Sequence, residues 1–327
     1  MKMYIKKNLQ PKSWSAEKQK GFHIILDESA FYPEGGGQPS DTGYLNDVKV
    51  KEVHEKEGEL LHYTDQPMEA GTEVQGRIDW ARRFDLMQQH SGEHMVSGLI
   101  HEAYGYDNVG FHMGSDTITI DLNGPLDEAQ LAEIERKTNQ KIWEDTQIKI
   151  IYPTAEELEK STNRSKKELT GQVRIVEFPG VDICACCGTH VTHTGEIGMV
   201  KLVQMIHYKG GERITMLCGA RALRDYDRKD ENIKKISSLL CVKEYEAAEG
   251  TKKLKEEQTQ WKGKVSQLSQ KLVAYQAQEI PVEEGITAVF DSELYGELTE
   301  GTDERSASER AEAAAVLQET MWTVTGM

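Results

Sequence analysis

Two short motifs that lie far apart in the chain constrain its fold most strongly. His90 and His94 are separated by three residues in a stretch with helical character, and Cys186 and His190 have the same spacing far downstream. Positions i and i+4 of a helix lie on one face, about 5–6 Å apart at Cβ, so both imidazoles can reach one ion. Two such ligand pairs are typical of zinc sites. We therefore predict one zinc ion per chain and a fold that brings the two motifs together.

The composition predicts a soluble globular protein. The chain has 327 residues, 38% hydrophobic and 29% charged, enough for two or three domains with their own cores. No apolar run approaches the roughly 20 residues of a membrane helix, and no signal peptide is visible. Three of the five cysteines crowd into residues 184–187, a cluster that suggests metal binding or redox chemistry rather than a disulfide framework. We expect a cytoplasmic protein with no membrane partner.

The net charge of −16 argues mildly against nucleic-acid binding, because phosphate contacts require Lys and Arg. The acidic residues are unevenly distributed, however. The stretches 160–167 and 221–235 are locally basic, and the last 50 residues are acidic. A local basic surface for a polyanion therefore remains compatible with the sequence.

The pattern along the chain predicts an α+β fold class with four segments. Residues 1–80 are rich in short β-strands broken by Gly, Pro and Asp, as in a small barrel or a sandwich. Residues 81–226 alternate helices and strands as one α+β metal-binding domain. We expect strands at 21–27, 48–54, 60–63, 73–79, 117–122, 148–152, 173–177 and 196–207, and helices at 82–104, 127–144 and from 154, where Thr154 and Glu157 form a capping box.

Residues 227–280 form a polar helical arm. Its apolar residues are spaced as the a and d positions of a heptad repeat: Leu254, Trp261, Val265, Leu268, Leu272 and Tyr275. Two interpretations stay open, a helix that packs against its own domain and a coiled-coil-like arm, and we favour a homodimer formed through the arm. Residues 281–327 are a short acidic C-terminal segment, too short for a secure core.

Several motifs resemble those of a known family. Residues 31–39 read FYPEGGGQP and 41–43 read DTG; residues 90–94 read HSGEH; residues 110–115 read GFHMGS; residues 186–190 read CCGTH, and 194–198 read TGEIG. In this order, over about residues 1–226, they resemble the editing domain of alanyl-tRNA synthetase and its free-standing relatives, the AlaX alanyl-tRNA editing proteins. Cys187 stands where the family has glycine. Longer members carry a C-terminal domain that we expect to be shortened or absent here.

The resemblance implies an N-terminal small β-barrel, an α+β zinc-binding editing domain and a C-terminal helical arm. It implies a trans-editing hydrolase that deacylates tRNA(Ala) carrying serine or glycine at a zinc site. Its glycine-rich loop implies substrate-binding residues, namely Gly35, Gly36, Gly37, Gln38, Asp41 and Thr42. His112 and Glu93 are catalytic candidates for directing a water molecule, although Glu93 also fits an ordinary exposed helix residue.

Two alternatives to this function remain open. One is a non-catalytic module in which zinc staples the fold and the protein binds tRNA or another protein. The other is an editing deacylase for a different tRNA, such as Ser-tRNA(Thr), because similar ligand pairs occur in threonyl-tRNA synthetase editing domains.

Overall fold

The computed structural model describes residues 2–9, 21–154, 156–157 and 173–279. The predicted α+β class is confirmed, since strands and helices both contribute to the described chain. Two compact units divide the protein, Met1–Arg228 and Lys229–Met327. The finer boundaries at 80/81, 226/227 and 280/281 stay predictions, and the segment 281–327 lies outside the described residues.

The first six strands form a closed antiparallel barrel in the order β1-β2-β5-β4-β3-β6. They are β1 (Lys2–Leu9), β2 (Phe22–Leu26), β3 (Gly43–Leu45), β4 (Val48–Lys56), β5 (Glu59–Thr64) and β6 (Glu73–Ile78). Successive side chains of a strand point to opposite faces, and the inside is filled by apolar side chains together with His62, which pairs with Ile24. Ile24, Leu45, Val50 and Val53 are fully buried. The sequence left a barrel and a sandwich open, and pairing of β6 with β1 makes this a barrel.

Helix α1 (Trp80–Tyr104) follows the barrel directly. The Asp79 side chain accepts a hydrogen bond from the Arg82 N–H and caps the first turn, and Gly105, at φ 70°, ends the helix in the left-handed conformation. All side chains from Gln88 to Ile100 are buried. The central turns of the helix are thus enclosed on every side.

The remaining strands of the first unit form two antiparallel sheets around α1. A four-stranded sheet has the order β12-β13-β8-β7, and a three-stranded sheet has the order β11-β10-β9. The elements are β7 (Asn108–Met113), β8 (Ile118–Leu122), α2 (Glu128–Trp143), β9 (Lys149–Ile151), β10 (Ile175–Phe178), β11 (Asp182–Ala185), β12 (Val200–Tyr208) and β13 (Gly211–Cys218).

One predicted strand begins later than expected. Residues Thr194–Ile197 form a 3-10 helix, and Gly198 has a positive φ of 82°, so the strand predicted at 196–207 starts only at Val200. The Thr154–Glu157 capping box is present, with the Glu157 N–H donating to Thr154 Oγ1 at 3.3 Å. Except for residues 156–157, the helix predicted beyond it, together with the basic stretch 160–167, lies outside the described residues.

Two further helices are α3 (Gly219–Leu240) and α4 (Ala247–Glu279). The first of them starts before the predicted arm at 227–280, and a break separates it from α4. Arg221 does not belong to a free basic surface. It is 4% exposed, and its guanidinium donates to both Asp85 carboxylate oxygens. No helix within the described ranges is long and apolar enough to cross a membrane.

The apolar seam predicted for the arm lies on α4. Its six side chains are all exposed, from 48% for Leu272 to 69% for Tyr275. The heptad spacing therefore produces an uncovered apolar stripe within the described part of the chain.

Candidate metal centre

Four predicted ligands come together at one point. His90 and His94 occupy successive turns of α1, while Cys186 and His190 lie in the loop after β11, and their ligand atoms are all within 4.8 Å of one another. Cys186 Sγ is 3.5 Å from His90 Nε2 and 3.4 Å from His190 Nε2. A tetrahedral zinc ion with Zn–N of about 2.0–2.1 Å and Zn–S of about 2.3 Å separates such atoms by about 3.6 Å. The donor set and its spacing therefore fit one zinc ion.

The other nitrogen of each imidazole is already engaged. His90 Nδ1 donates to Gln38 Oε1 at 2.8 Å and His94 Nδ1 to Asp182 Oδ2 at 2.8 Å, and His190 Nδ1 shares a hydrogen bond of 3.3 Å with Ser91 Oγ. A hydrogen on Nδ1 leaves the lone pair on Nε2, the atom that faces Cys186. Partners of this kind fix the tautomer and orientation of metal-binding histidines.

The charges suit a cation. Burial raises the pKa of the Cys186 thiol, but hydrogen bonds with His190, His90 and His94 outweigh it and lower the pKa to about 2. Burial lowers the pKa of His190 to about 3. Cys186 is thus a thiolate and His190 a neutral imidazole at neutral pH, the protonation states that metal binding requires. Burial lowers the pKa of His94, but hydrogen bonds to Asp182 and Cys186 raise it by more, to well above its usual value. A metal ion bound here would therefore have to displace a proton from His94.

The other two cysteines of the cluster are placed differently. Cys184 lies with His94 and Asp182 in a second group of possible ligands, and Cys187 is exposed. Cys186 is therefore the cysteine that faces all three imidazoles.

The four ligands differ in their exposure. His90 and His94 are 3% exposed and His190 is 7% exposed, whereas Cys186 is only partly buried. The Phe111 ring lies 5.4 Å from the His90 ring. Burial, followed by the nearby Cys186 and Cys187, raises the pKa of Tyr32 to about 12. Cys186 is therefore the most exposed of the four ligands.

The glycine-rich loop is anchored on the centre. Gln38 is fully buried; its amide nitrogen donates to Thr189 Oγ1 at 2.7 Å, and its Oε1 accepts the Thr189 N–H at 3.0 Å as well as the His90 hydrogen bond. Gly37 has φ 80°, and a Cβ there would lie 2.7 Å from the Phe111 ring. Gly188 packs on His90, since a Cβ there would lie 2.0 Å from the ring. These contacts leave no room for larger residues at 37 and 188.

The remaining predicted loop residues take different places. Gly36 has φ 58° and no atom within 4 Å of an added Cβ, and Gly35 has only the Tyr32 hydroxyl at 3.7 Å. Asp41 is fully buried, and its carboxylate accepts bonds from Arg83 Nε at 2.7 and 2.9 Å. Asp41 thus ties the loop to α1.

Thr42 lies on the barrel, where its carbonyl accepts the Asp79 N–H at 2.8 Å, and it lines an outer groove. The structure does not bring Asp41 or Thr42 to the four ligands. The substrate-binding role of the loop stays a prediction.

Glu93 is buried at 5% exposure, so the interpretation as an exposed helix residue is wrong. Its Oε1 accepts hydrogen bonds from Ser97 Oγ at 2.5 Å and Asn108 Nδ2 at 2.6 Å, and its Oε2 lies 4.0 Å from His94 Nε2. The sequence pattern missed this burial because α1 has no solvent face along its central turns.

His112 is exposed, and its strand neighbour Phe111 faces His90. Because strand side chains alternate between faces, His112 projects away from the four ligands. Its catalytic role stays a prediction that the geometry does not favour.

Three site residues escaped prediction. Asp182 and the imidazole-positioning role of Gln38 depend on long-range contacts that no local pattern reports. Ser91 directly follows the predicted ligand His90, and this position was the only local feature of the sequence that pointed to a role in the site.

Family models match the N-terminal barrel and the segment that carries Cys186 and His190. A family model described as the threonyl and alanyl tRNA synthetase second additional domain matches residues 173–218, and one described as tRNA synthetases class II (A) matches residues 2–82. The alanyl-tRNA editing protein Aarsd1 of Mus musculus is 34% identical over 239 residues, covering 72% of this chain and 58% of that protein. Aarsd1-B of Xenopus laevis is 36% identical over 225 residues, covering 67% and 55%.

Alanine–tRNA ligase of Pyrococcus abyssi is 32% identical over 307 residues, covering 89% of this chain and 33% of the ligase. The chain thus spans little more than half the length of the editing proteins that it matches. The chain belongs to the family of the alanyl-tRNA editing proteins, to which the matched part of alanine–tRNA ligase is related.

Proposed function

We propose that this protein is a trans-editing hydrolase that removes serine or glycine from mischarged tRNA(Ala), with one zinc ion held by His90, His94, Cys186 and His190. One observation carries the proposal. Three imidazoles present Nε2 toward one cysteine sulfur while a separate partner occupies each Nδ1. The names of the matching editing proteins supply the substrate class.

The reaction is hydrolysis of the ester that joins the amino acid to the tRNA. A zinc ion in this site would supply Lewis-acid polarisation of the ester carbonyl and a lowered pKa for bound water. The chain's own contribution is to hold the donor atoms still. Gln38 and Asp182 fix the two histidines of α1, because neither imidazole can rotate without breaking a buried hydrogen bond.

Glu93 is the carboxylate best placed to accept a proton near the centre. Its Oε1 is occupied by Ser97 and Asn108, so Oε2 is the oxygen that lies toward His94. We assign it the role of orienting the attacking water. His112 is a weaker candidate because its side chain projects to the other face of β7.

An editing function also has a physical reason. Serine differs from alanine by one hydroxyl, and an apolar pocket rejects such an analogue by only about 100-fold. A second hydrolytic site corrects the remaining errors. The open backbone around Gly36 offers space for the terminal ribose, which supports the proposed substrate-binding role of the loop.

We further propose that the protein is a homodimer through α4. The exposed seam from Leu254 to Tyr275 offers about three heptads of apolar positions, which a second copy would cover. The cytoplasmic location stays a prediction.

Two observations favour rival functions. A set of four protein ligands is typical of structural zinc sites, as expected for a non-catalytic module. The matching family model covers threonyl as well as alanyl synthetases, which supports Ser-tRNA(Thr) as a rival substrate.

Deacylation assays on Ser-tRNA(Ala), Gly-tRNA(Ala) and Ser-tRNA(Thr) test the proposal. We expect the full chain to release serine or glycine from tRNA(Ala) much faster than serine from tRNA(Thr). The His90→Ala/His94→Ala variant controls for contaminating deacylases and should be inactive. Faster release from Ser-tRNA(Thr), or none from any substrate, contradicts the proposal.

A further inference from the structure

A groove on the outer wall of the barrel is separate from the candidate metal centre. It has a volume of about 560 Å³, and its lining includes Thr42, Tyr44, Lys49, Lys51, Arg77 and Trp80. None of the four proposed metal ligands lines it. Its volume falls in the range of small-ligand sites, so the groove is a candidate for a second binding site.

The strand register builds an ordered row along this groove. Tyr44 on β3 pairs with Lys49 on β4 and with Arg77 on β6. Directly opposed residues of antiparallel strands share one face of the sheet. The row therefore runs Lys49, Tyr44, Arg77, with the Arg77 guanidinium carbon 5.0 Å from the centre of the Tyr44 ring. In this row the aromatic residue Tyr44 lies between the two cationic residues Lys49 and Arg77.

A second aromatic side chain borders the row. Trp80, the first residue of α1, is 61% exposed, and Tyr44 is 37% exposed. Large aromatic side chains remove much apolar area from water when they are covered. Their exposure beside a cationic row indicates a surface on which flat ligand rings can stack.

The cations of the groove are not neutralised by neighbours. Within the described ranges, Lys49, Lys51 and Arg77 form no ion pair with a carboxylate, whereas eleven other Lys and Arg side chains do. Asp79 also lines the groove, but its carboxylate accepts the Arg82 N–H and caps α1. With three cations and the one carboxylate of Asp79, the groove is locally positive on a chain of net charge −16, and such a groove suits an anionic partner.

We propose that this groove binds single-stranded nucleotides of the tRNA substrate, with the cations on phosphates and Tyr44 and Trp80 stacked on bases; this rests on the proposed function. Surfaces that bind single-stranded nucleic acid combine a positive groove with aromatic platforms. A simple anion or an acidic peptide would use the cations and leave the rings unused. The combination of rings and cations therefore favours RNA over a simple anion or an acidic peptide as the ligand.

Binding of labelled, unacylated tRNA(Ala), measured by fluorescence anisotropy over a range of salt concentrations, tests the charges. The variant Lys49→Gln/Arg77→Gln removes two phosphate contacts. Each contact on single strands contributes about 0.7 to the slope of log K against log salt, so the slope falls by about 1.4 and affinity at 0.1 M salt falls about 25-fold. The variant Lys49→Arg/Arg77→Lys keeps the charges and should retain most of the affinity.

The matched control is Arg136→Gln/Lys137→Gln on α2. Both side chains are exposed and pair with Glu133, and their removal changes the net charge by the same amount. This control should leave the affinity and the salt slope near those of the unaltered protein. An equal loss in the control would overturn the proposal, because the effect would then be one of net charge.

Trp80→Ala tests the stacking. We expect about a fivefold or greater loss of affinity with an unchanged salt slope, since base stacking involves no counterion release. Trp143→Ala is the control, because Trp143 is also an exposed tryptophan, at 72%, and lies at the end of α2. No loss for Trp80→Ala would show a plain anion site and overturn the RNA assignment.

The outcomes separate this inference from the proposed function. If the protein deacylates Ser-tRNA(Ala) but the groove variants bind tRNA like the unaltered protein, the groove proposal alone fails. If tRNA binding depends on the groove but no aminoacyl-tRNA is hydrolysed, the proposed function alone fails. Unchanged unfolding temperatures of the variants confirm that each loss reflects binding and not folding.

Discussion

Gln38 holds His90 in place, and its replacement by alanine should weaken zinc binding specifically. The Gln38 side chain is fully buried. Its Oε1 accepts hydrogen bonds from His90 Nδ1 at 2.8 Å and from the Thr189 backbone N–H at 3.0 Å, and its nitrogen donates to Thr189 Oγ1. One side chain thus links the glycine-rich loop to both ligand motifs.

The size of the effect follows from these contacts. Gln38→Ala leaves two buried donors without acceptors, and each costs about 1–3 kcal/mol of folding stability. Loss of the partner that orients a ligating histidine weakens metal affinity by about 10- to 100-fold, equivalent to about 1.4–2.8 kcal/mol. The variant should therefore fold less stably and bind zinc more weakly.

Gln89 provides a matched control on the same helix. It is also fully buried, and its amide exchanges two hydrogen bonds of 2.9 Å with the Cys218 backbone. It precedes His90 directly but makes none of the ligand contacts. Gln89→Ala should cost a similar amount of stability while leaving the zinc dissociation constant within a few-fold of the original value.

Competition with a chromophoric chelator measures the zinc affinity, and thermal unfolding of the metal-free proteins measures the stability. We expect comparable destabilisation in both variants but a large loss of zinc affinity in Gln38→Ala alone. Equal zinc affinities in the two variants would refute the positioning role of Gln38.

Three further predictions concern the same molecule. Gly188→Ala should lose most bound zinc in metal analysis, because its Cβ would lie 2.0 Å from the His90 ring, whereas Gly263→Ala, with nothing within 4 Å, should retain it. Cys186→Ala should lose metal and activity together while Cys187→Ala keeps most of both; the reverse would move the ligand to the neighbouring thiol. Trp261→Asp in the full chain should convert a dimer into a monomer in sedimentation experiments, because a charge in the seam cannot be buried without cost; a monomer before substitution contradicts the dimer.

The ligand cluster could be anticipated because its spacing is local. His90 and His94 share a helical face by backbone geometry alone, and the second pair has the same spacing. Only the proximity of the two pairs in space depends on the fold. Gln38 and Asp182 reach the histidines from the barrel loop and from β11. No periodicity links such distant positions, which is why their roles were missed.

The errors along α1 have a common physical cause. Helix prediction assumes one buried stripe and one solvated stripe, but this helix is enclosed by two sheets and the glycine-rich loop. Glu93, Ser97 and Asn108 are polar because they satisfy one another inside the protein. In the sequence, the polar residues of a buried network cannot be told from those of an exposed surface, so Glu93 was expected to be exposed.

Element ends were the other source of error. The strand expected from residue 196 is delayed by a 3-10 turn, in which the Gly198 N–H returns to the Gly195 carbonyl. The apolar residues of 194–200 fit either conformation. Helix α3 starts at Gly219, before the arm expected from residue 227. Arg221, which belongs to the locally basic stretch 221–235, is paired with Asp85 in the interior.

Zinc-dependent deacylation of Ser-tRNA(Ala) tests the central claim most directly. The full chain is stripped of metal with a chelator, and the rate of serine release is followed as zinc is returned in known amounts. The account predicts that activity is lost on stripping and rises in proportion to added zinc until one equivalent per chain is bound. Full activity in the metal-free protein, or a stoichiometrically zinc-loaded protein that releases no serine or glycine from tRNA(Ala), would contradict it.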